Sequence, residues 1–217
     1  MLLLAALACD PGTGTPVYAG TKMSDYFAFD GNRSMSFNNE DVENITWKLR
    51  VDKKPQTTVV DGREVATMEY YNAATAELLG SVDWSSVTGD SVMVHGYSLG
   101  AMGAPVTFDP PIEITDGDDA MRLGDATVSE SKDSNGTSVT YTSTLVESLS
   151  TCPTIPQDDF TQCVRMTIDD GDGDAQVGAL FTGDVTLVAA YGPVYQTIPG
   201  WETQWELSEI SYTSDEE

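Results

Sequence analysis

Histidine and basic side chains are the scarcest chemical groups in this chain. Its 217 residues include one histidine, and 10 Lys and Arg side chains stand against 35 Asp and Glu. A single histidine argues against zinc and transition-metal chemistry. The net charge of −25 repels nucleic acid and anionic lipid head groups. Within residues 64–217 the only basic side chains are Arg122, Lys132 and Arg165, so this surface suits high salt, cations or a basic partner.

Helical periodicity and long apolar runs are also missing. No stretch of twelve residues shows a clean 3.6-residue repeat, and no stretch approaches the roughly 18 apolar residues of a membrane-spanning helix. The chain has no H-E-x-x-H, C-x-x-C, P-loop or Rossmann motif. These absences leave β structure as the main expectation and give no direct indication of a reaction.

Short β-rich runs separated by turn signals recur along the chain. Asp61-Gly62 and Asn135-Gly136 are typical of hairpin turns. The predicted strands cover residues 45–51, 64–71, 76–84, 91–98, 106–108, 126–131, 137–149, 160–168, 178–190, 194–198 and 203–212. This spacing predicts an all-β fold with antiparallel strands and little helix.

The run 137–149 shows the alternation most clearly. One face would carry Val139, Tyr141, Ser143 and Leu145, and the other Thr140, Thr142 and Thr144. A buried apolar face and a solvent-exposed polar face are expected for a sheet that covers a core on one side. We therefore expect a curved sheet, either a half-barrel or clam, or a sandwich.

Cys9 follows a short apolar opening that has small residues directly before the cysteine. This pattern resembles the lipobox of bacterial lipoproteins. The resemblance implies that residues 1–8 are a signal peptide, which is short enough to be truncated, and that Cys9 carries a lipid. It also implies a location in the bacterial cell envelope, anchored to a membrane and facing the periplasm or the cell exterior; inner and outer membrane both remain open.

The remaining chain divides by composition. Residues 9–24 contain the lipidated cysteine and a Pro/Gly-rich tether. Residues 25–213 form a single β domain, and residues 214–217 form an acidic tail.

Cys152 and Cys163 are the two cysteines left once Cys9 is lipidated. Pro153 and Pro156 between them suit a turn. In an oxidising compartment we expect a disulfide that joins two neighbouring strands, contributing about 3 kcal/mol. Two free, buried cysteines are the alternative.

Residues 96–100 read Gly-Tyr-Ser-Leu-Gly, the pattern of a nucleophile elbow centred on Ser98. The elbow requires a helix after the serine and a histidine far downstream. The next residues, however, include Gly103 and Pro105, and the single histidine is His95. We therefore expect a strand that ends in a Gly-rich loop, and we assign no catalytic residue here.

Asp170, Asp172 and Asp174 alternate with glycines, a spacing that favours convergence of carboxylates on Ca²⁺. The loop is not an EF-hand, because Ala175 stands where Gly is wanted and Phe181 where Glu is wanted. A looser Ca²⁺ site is one hypothesis and the only cofactor expected; a solvated hairpin tip is the other.

Five segments together resemble a group of uncharacterised bacterial lipoproteins that are frequent in myxobacteria. They are DYFAFDGNRSMSF at 25–37, FDPPIEI at 108–114, MRLGDATVSE at 121–130, DFTQCVRMTI at 159–168 and AAYGPVYQT at 189–197. Ala28, Met35 and Ala126 depart from the group's Pro and Trp positions. The resemblance implies structural turns and core aromatics, and it brings no catalytic residues.

The expected function is therefore a non-enzymatic binding or scaffolding role in the envelope. The expected partners are a lipid bilayer through the anchor and either an apolar ligand or an envelope protein, with no nucleic acid. Two alternatives stay open: a carboxylate-dependent hydrolase of the cell envelope and a Ca²⁺-dependent interaction module. Trp201 and Trp205 have the spacing of an exposed aromatic platform for carbohydrate, although core or rim positions are favoured for all four tryptophans.

Overall fold

The computed structural model of this chain is almost entirely β structure. It describes residues 23–27, 33–39, 48–53, 58–60, 63–87, 91–115, 122–149, 163–171, 180–189, 192–197 and 204–212. Among these residues no helix is long and apolar enough to span a bilayer. The elements are α1 (Met23–Tyr26), β1 (Arg33–Asn39), β2 (Lys48–Lys53), β3 (Thr58–Val60), β4 (Arg63–Asn72), β5 (Glu77–Val87), β6 (Ser91–Leu99), β7 (Val106–Thr115), β8 (Ala126–Asp133), β9 (Ser138–Leu149), β10 (Cys163–Asp170), β11 (Gly183–Val188), β12 (Gly192–Thr197) and β13 (Gln204–Tyr212).

The sheet closes on itself into a 12-strand antiparallel barrel. Strands β4 to β13 pair in sequence order, β13 pairs with β1, β1 with β2, and β2 returns to β4. The returning pair runs from Leu49 opposite Asn72 to Lys53 opposite Met68, and β3 pairs with β4 beyond it. The all-β prediction is confirmed. The expected half-barrel, clam or sandwich was wrong, because the β2–β4 ladder removes the open edges.

The wall of the barrel has an apolar inner face and a polar outer face. On β9, Tyr141 and Leu145 are buried, whereas Thr140, Thr142 and Thr144 are partly exposed. The alternation predicted for this strand is therefore confirmed. Successive side chains of a strand point to opposite faces, so a period of two is enough to fill one side of the wall.

Side chains enter the barrel at both ends. We call the end where β1 begins the N-terminal end, and the other the distal end. Helix α1 contacts β6 and β12, which lie six strands apart in either direction around the ring; it therefore crosses the bore, next to Gly192 at the N-terminal end. At the distal end, Leu180 and Phe181 precede β11 and are buried.

The junction between β7 and β8 is the shortest ladder in the ring. It pairs only Phe108 with Asp133 and Asp109 with Lys132, because Pro110 and the next residue, also a proline, have no N–H to donate. Serine hydroxyls of β8 continue the junction. Ser131 Oγ donates to the Pro110 carbonyl at 2.5 Å, and the Glu113 N–H donates to Ser129 Oγ at 2.9 Å.

Candidate functional site

Phe181 is the centre of the aromatic interior. Its ring lies 5.2 Å from Tyr141, 6.1 Å from Tyr97 and Phe108, and 6.3 Å from Trp84, measured between centroids. Tilted and edge-to-face contacts at these separations are favourable beyond the area they bury. Burial, aided by the negative charge of Asp133, raises the pKa of Tyr97 to about 12. The aromatic side chains occupy the bore where a ligand would otherwise sit.

The Leu180 carbonyl in the interior belongs to a chain of hydrogen bonds between buried groups. Gln196 Nε2 donates to the Leu180 carbonyl at 2.9 Å, and its side chain also hydrogen-bonds with Tyr70. Burial raises the pKa of Tyr70 well above its ordinary value, and the Gln196 bond offsets only part of this effect. Because a buried polar group without a partner is costly, this chain fixes the Leu180 backbone inside the barrel.

The described residues of the interior line a cavity of about 20 Å³. It is lined by Phe27, Met68, Tyr70, Trp84, Ile168, Leu180, Phe181, Val185, Leu187, Pro193 and Gln196. A cavity of this size holds about one water molecule. A lipid-sized ligand therefore fits only if the side chains that enter from the two ends are displaced.

The outer wall carries a much larger concavity of about 460 Å³ over the junction of β7, β8 and β9. We call it the outer groove, and it is lined by Asp109, Pro110, Glu130, Ser131, Lys132, Ser138, Val139 and Thr140. Asp109 and Lys132 face each other across the ladder. The groove therefore offers two carboxylates, one ammonium group and several hydroxyls to a polar ligand.

Residues 96–99 of the G-x-S-x-G pattern lie in strand β6, and Gly100 follows the strand. Ser98 Oγ shares a hydrogen bond of 2.9 Å with Ser81 Oγ, and His95 Nε2 shares one with Ser85 Oγ. His95 is 2% exposed. Ser98 and His95 thus bond to different serines of β5 rather than to each other, and β6 continues into a loop without forming the strand-to-helix turn that an elbow needs.

The proposed calcium ligands are only partly within the described residues. Asp170 is the last residue of β10, and Asp172 and Asp174 lie outside the described residues. In the part of the chain that the structure describes, no group of three His, Cys, Asp or Glu side chains could hold a metal ion. The Ca²⁺ site at Asp170, Asp172 and Asp174 stays a prediction.

Two of the three cysteines are likewise outside the described residues, namely Cys9 and Cys152. Cys163 is the first residue of β10, and its side chain is fully buried. The disulfide between Cys152 and Cys163, and the lipid on Cys9, stay predictions.

The aromatic platform expected from tryptophan spacing is not formed by the described member of the pair. Trp205 is 6% exposed and belongs to the core, whereas Trp201 lies outside the described residues. Trp84 is also a core residue, and its ring centroid lies 5.3 Å from that of Phe27. A carbohydrate platform needs exposed ring faces, so Trp205 cannot contribute one.

Sequence reasoning missed the residues that fill the barrel. Phe181 and Gln196 lie within two of the predicted strands, 178–190 and 194–198, but neither was predicted to fill the core. The signal was present as an apolar pair, Leu180-Phe181, that comes a few residues after an acidic, Gly-rich segment. An apolar pair shortly after a polar loop is a candidate for insertion into a core.

Comparison with known proteins adds no identification. The chain matches no family model, no curated protein and no solved structure.

Proposed function

We propose that this protein is an exported lipoprotein, anchored to a membrane of the bacterial cell envelope through Cys9, with a non-enzymatic binding or scaffolding role. The apolar opening that ends at Cys9 and the Pro/Gly-rich stretch after it support the anchor. Its resemblance to the lipoprotein group described above supports the same compartment.

One observation carries the binding role: the interior cavity lined by the described residues is small, whereas the concavity on their outer wall is large. The interior cavity measures about 20 Å³ and the outer groove about 460 Å³. Ligand pockets for small molecules usually measure about 300–1,000 Å³. Of the two partners expected from the sequence, an envelope protein bound on the outside is favoured over an apolar ligand in this interior cavity, because the cavity has room for about one water molecule.

The anchor is tested by expressing the full chain in a Gram-negative host with radiolabelled palmitate. We expect the wild-type protein to sediment with membranes and carry label, and Cys9→Ser to be unlabelled and soluble in the same compartment. Cys163→Ser is the matched control, because it also replaces a cysteine by serine but should stay labelled. An unlabelled, soluble wild-type protein would refute the anchor.

The outer groove favours one second candidate, a carboxylate-dependent hydrolase of envelope polymers. Asp109 and Glu130 are both exposed and line the same groove, as a pair of carboxylates must in a glycoside hydrolase. Release of reducing ends from cell-wall polymers, lost in both Asp109→Asn and Glu130→Gln but not in Glu147→Gln outside the groove, would support this candidate. Without any release by the wild-type protein, the binding role stands.

A further inference from the structure

The loop between β6 and β7 is an exposed apolar projection. Residues 99–105 read Leu-Gly-Ala-Met-Gly-Ala-Pro and contain no charge. Met102 is 98% exposed and Leu99 42%, and the other side chains of the loop are exposed as well. Single exposed apolar residues are ordinary, but a contiguous apolar group on a soluble surface marks an interaction site. We call residues 99–105 the distal loop.

The distal loop has a fixed shape. Gly100 adopts φ +68° and its N–H donates to the Leu79 carbonyl at 2.8 Å. A Cβ on Gly103 would lie 1.9 Å from the Leu99 carbonyl oxygen, so only glycine allows the chain to fold back there. Met102 is therefore presented on a preorganised turn, which lowers the entropy that binding would cost.

The neighbouring turns extend the uncharged surface. In an antiparallel barrel the β4–β5, β6–β7 and β8–β9 connections all open at the same end, here the distal end. Residues 73–76 and 134–137 also carry no charge, and the Thr107 N–H donates to Ser134 Oγ at 3.4 Å, which links two of the connections. The carboxylates of Glu77 and Asp133 lie at strand termini at this end, and that of Asp109 lies near the start of β7.

The charge around the distal loop selects its partner. A net charge of −25 opposes contact with a second copy or with an anionic bilayer. The carboxylates at this end and the acidic chain as a whole favour another protein that carries basic residues.

We propose that the distal loop is the docking site for an envelope protein that receives Met102 in an apolar pocket rimmed by basic residues. The apolar tip fits the pocket, and the surrounding carboxylates complement the rim. This inference rests on the proposed binding role and adds where the partner binds.

The test places a photo-crosslinking amino acid at Met102 of the full chain in the cells that make it. Leu123 is the matched control, because it is an exposed apolar residue on the β7–β8 connection at the opposite end. We expect one discrete protein adduct from position 102 and none from position 123. A lipid adduct, a self-adduct or no adduct would overturn the proposal.

A second measurement uses the purified partner. Met102→Leu should bind as wild type does, and Met102→Asp at least tenfold more weakly, with binding of the wild type weakening as salt is raised. Because Met102 is almost fully exposed, both variants should melt at the wild-type temperature. A partner that binds Met102→Asp equally well would contradict the docking site, whereas a failed palmitate experiment would remove the anchor and leave this contact intact.

Discussion

The two faces of the barrel wall differ in the interactions that stabilise them. The inner face collects rings around Phe181 and includes the hydrogen-bonded chain of Gln196, Leu180 and Tyr70. The outer face carries carboxylates, and the ten basic side chains of the protein cannot neutralise its 35 acidic ones. Hydroxyl groups stabilise some of these carboxylates in place of basic side chains. Several carboxylates accept a hydrogen bond from the hydroxyl of the residue directly opposite on the next strand. The pairs are Ser34–Asp52 at 2.8 Å, Thr67–Asp83 at 2.7 Å and Thr167–Asp184 at 2.6 Å.

This difference predicts how strongly substitutions on each face change the stability of the protein. Cross-strand pairs contribute about 0.2–1 kcal/mol each, so no single outer pair determines the fold. Burial of a large aromatic ring contributes several times more. Single substitutions on the inner face should therefore lower the free energy of unfolding strongly, whereas single substitutions on the outer face should lower it only slightly.

The largest effect is expected at Phe181. Phe181→Ala removes the ring that contacts four other aromatic side chains and should lower the free energy of unfolding by about 3–5 kcal/mol. Val128→Ala on the outer face, where Val128 is 62% exposed, should change it by less than about 0.5 kcal/mol. Chemical denaturation measures both. Equal losses would show that the interior is not packed as described.

An intermediate effect is expected at Gln196. Gln196→Leu leaves the Leu180 carbonyl and the Tyr70 hydroxyl without this partner and should cost about 1–3 kcal/mol. Adding Tyr70→Phe to Gln196→Leu should recover part of the loss, because the second buried polar atom is then removed. A double-mutant cycle measures the coupling; strictly additive effects would contradict the hydrogen-bonded chain.

The smallest effect is expected on the outer face. Thr67→Val and Thr167→Val each remove a hydroxyl from a carboxylate and should lower stability by about 0.5–1 kcal/mol. Thr144→Val is the control, because the residues opposite it are Ala126 and Thr167. If Thr144→Val is as destabilising as the other two variants, the hydroxyl–carboxylate pairs have no special part in supporting the charge.

Local pattern was enough to predict most of the strands. Strands β2, β4 to β6 and β8 to β13 overlap the predicted runs because they alternate apolar and polar residues or end at Gly and Asn turns. Strand β1 was missed because Met35 and Phe37 are its only large apolar residues, set among Ser and Asn. Strand β3 was missed because it has three residues.

Strand β7 shows how tertiary contacts override a local signal. Pro110 and the proline after it indicated that the strand stops at Phe108, yet it continues to Thr115. Prolines are tolerated there because the strand has already left the regular ladder, and Ser131 satisfies the Pro110 carbonyl. A side chain from a strand 21 residues away in sequence cannot be assigned from alternation.

Barrel closure and the candidate sites depended on the same kind of non-local information. Nothing local in residues 48–53 indicates that β2 returns to β4 rather than leaving an open edge. The sequence directed attention to Ser98, which the structure shows bonded to Ser81. It did not identify the distal loop, although its lack of charge between Leu99 and Pro105 was visible.

The most direct test of a filled interior is native mass spectrometry of the full chain, extracted from membranes without chelator, beside a denatured aliquot. We expect the two masses to agree, with a covalent lipid on Cys9 and a deficit of two hydrogens for a Cys152–Cys163 disulfide. An additional lipid-sized mass that is present natively and lost on denaturation would contradict the account, because it would place an apolar ligand where Phe27, Leu180 and Phe181 now lie.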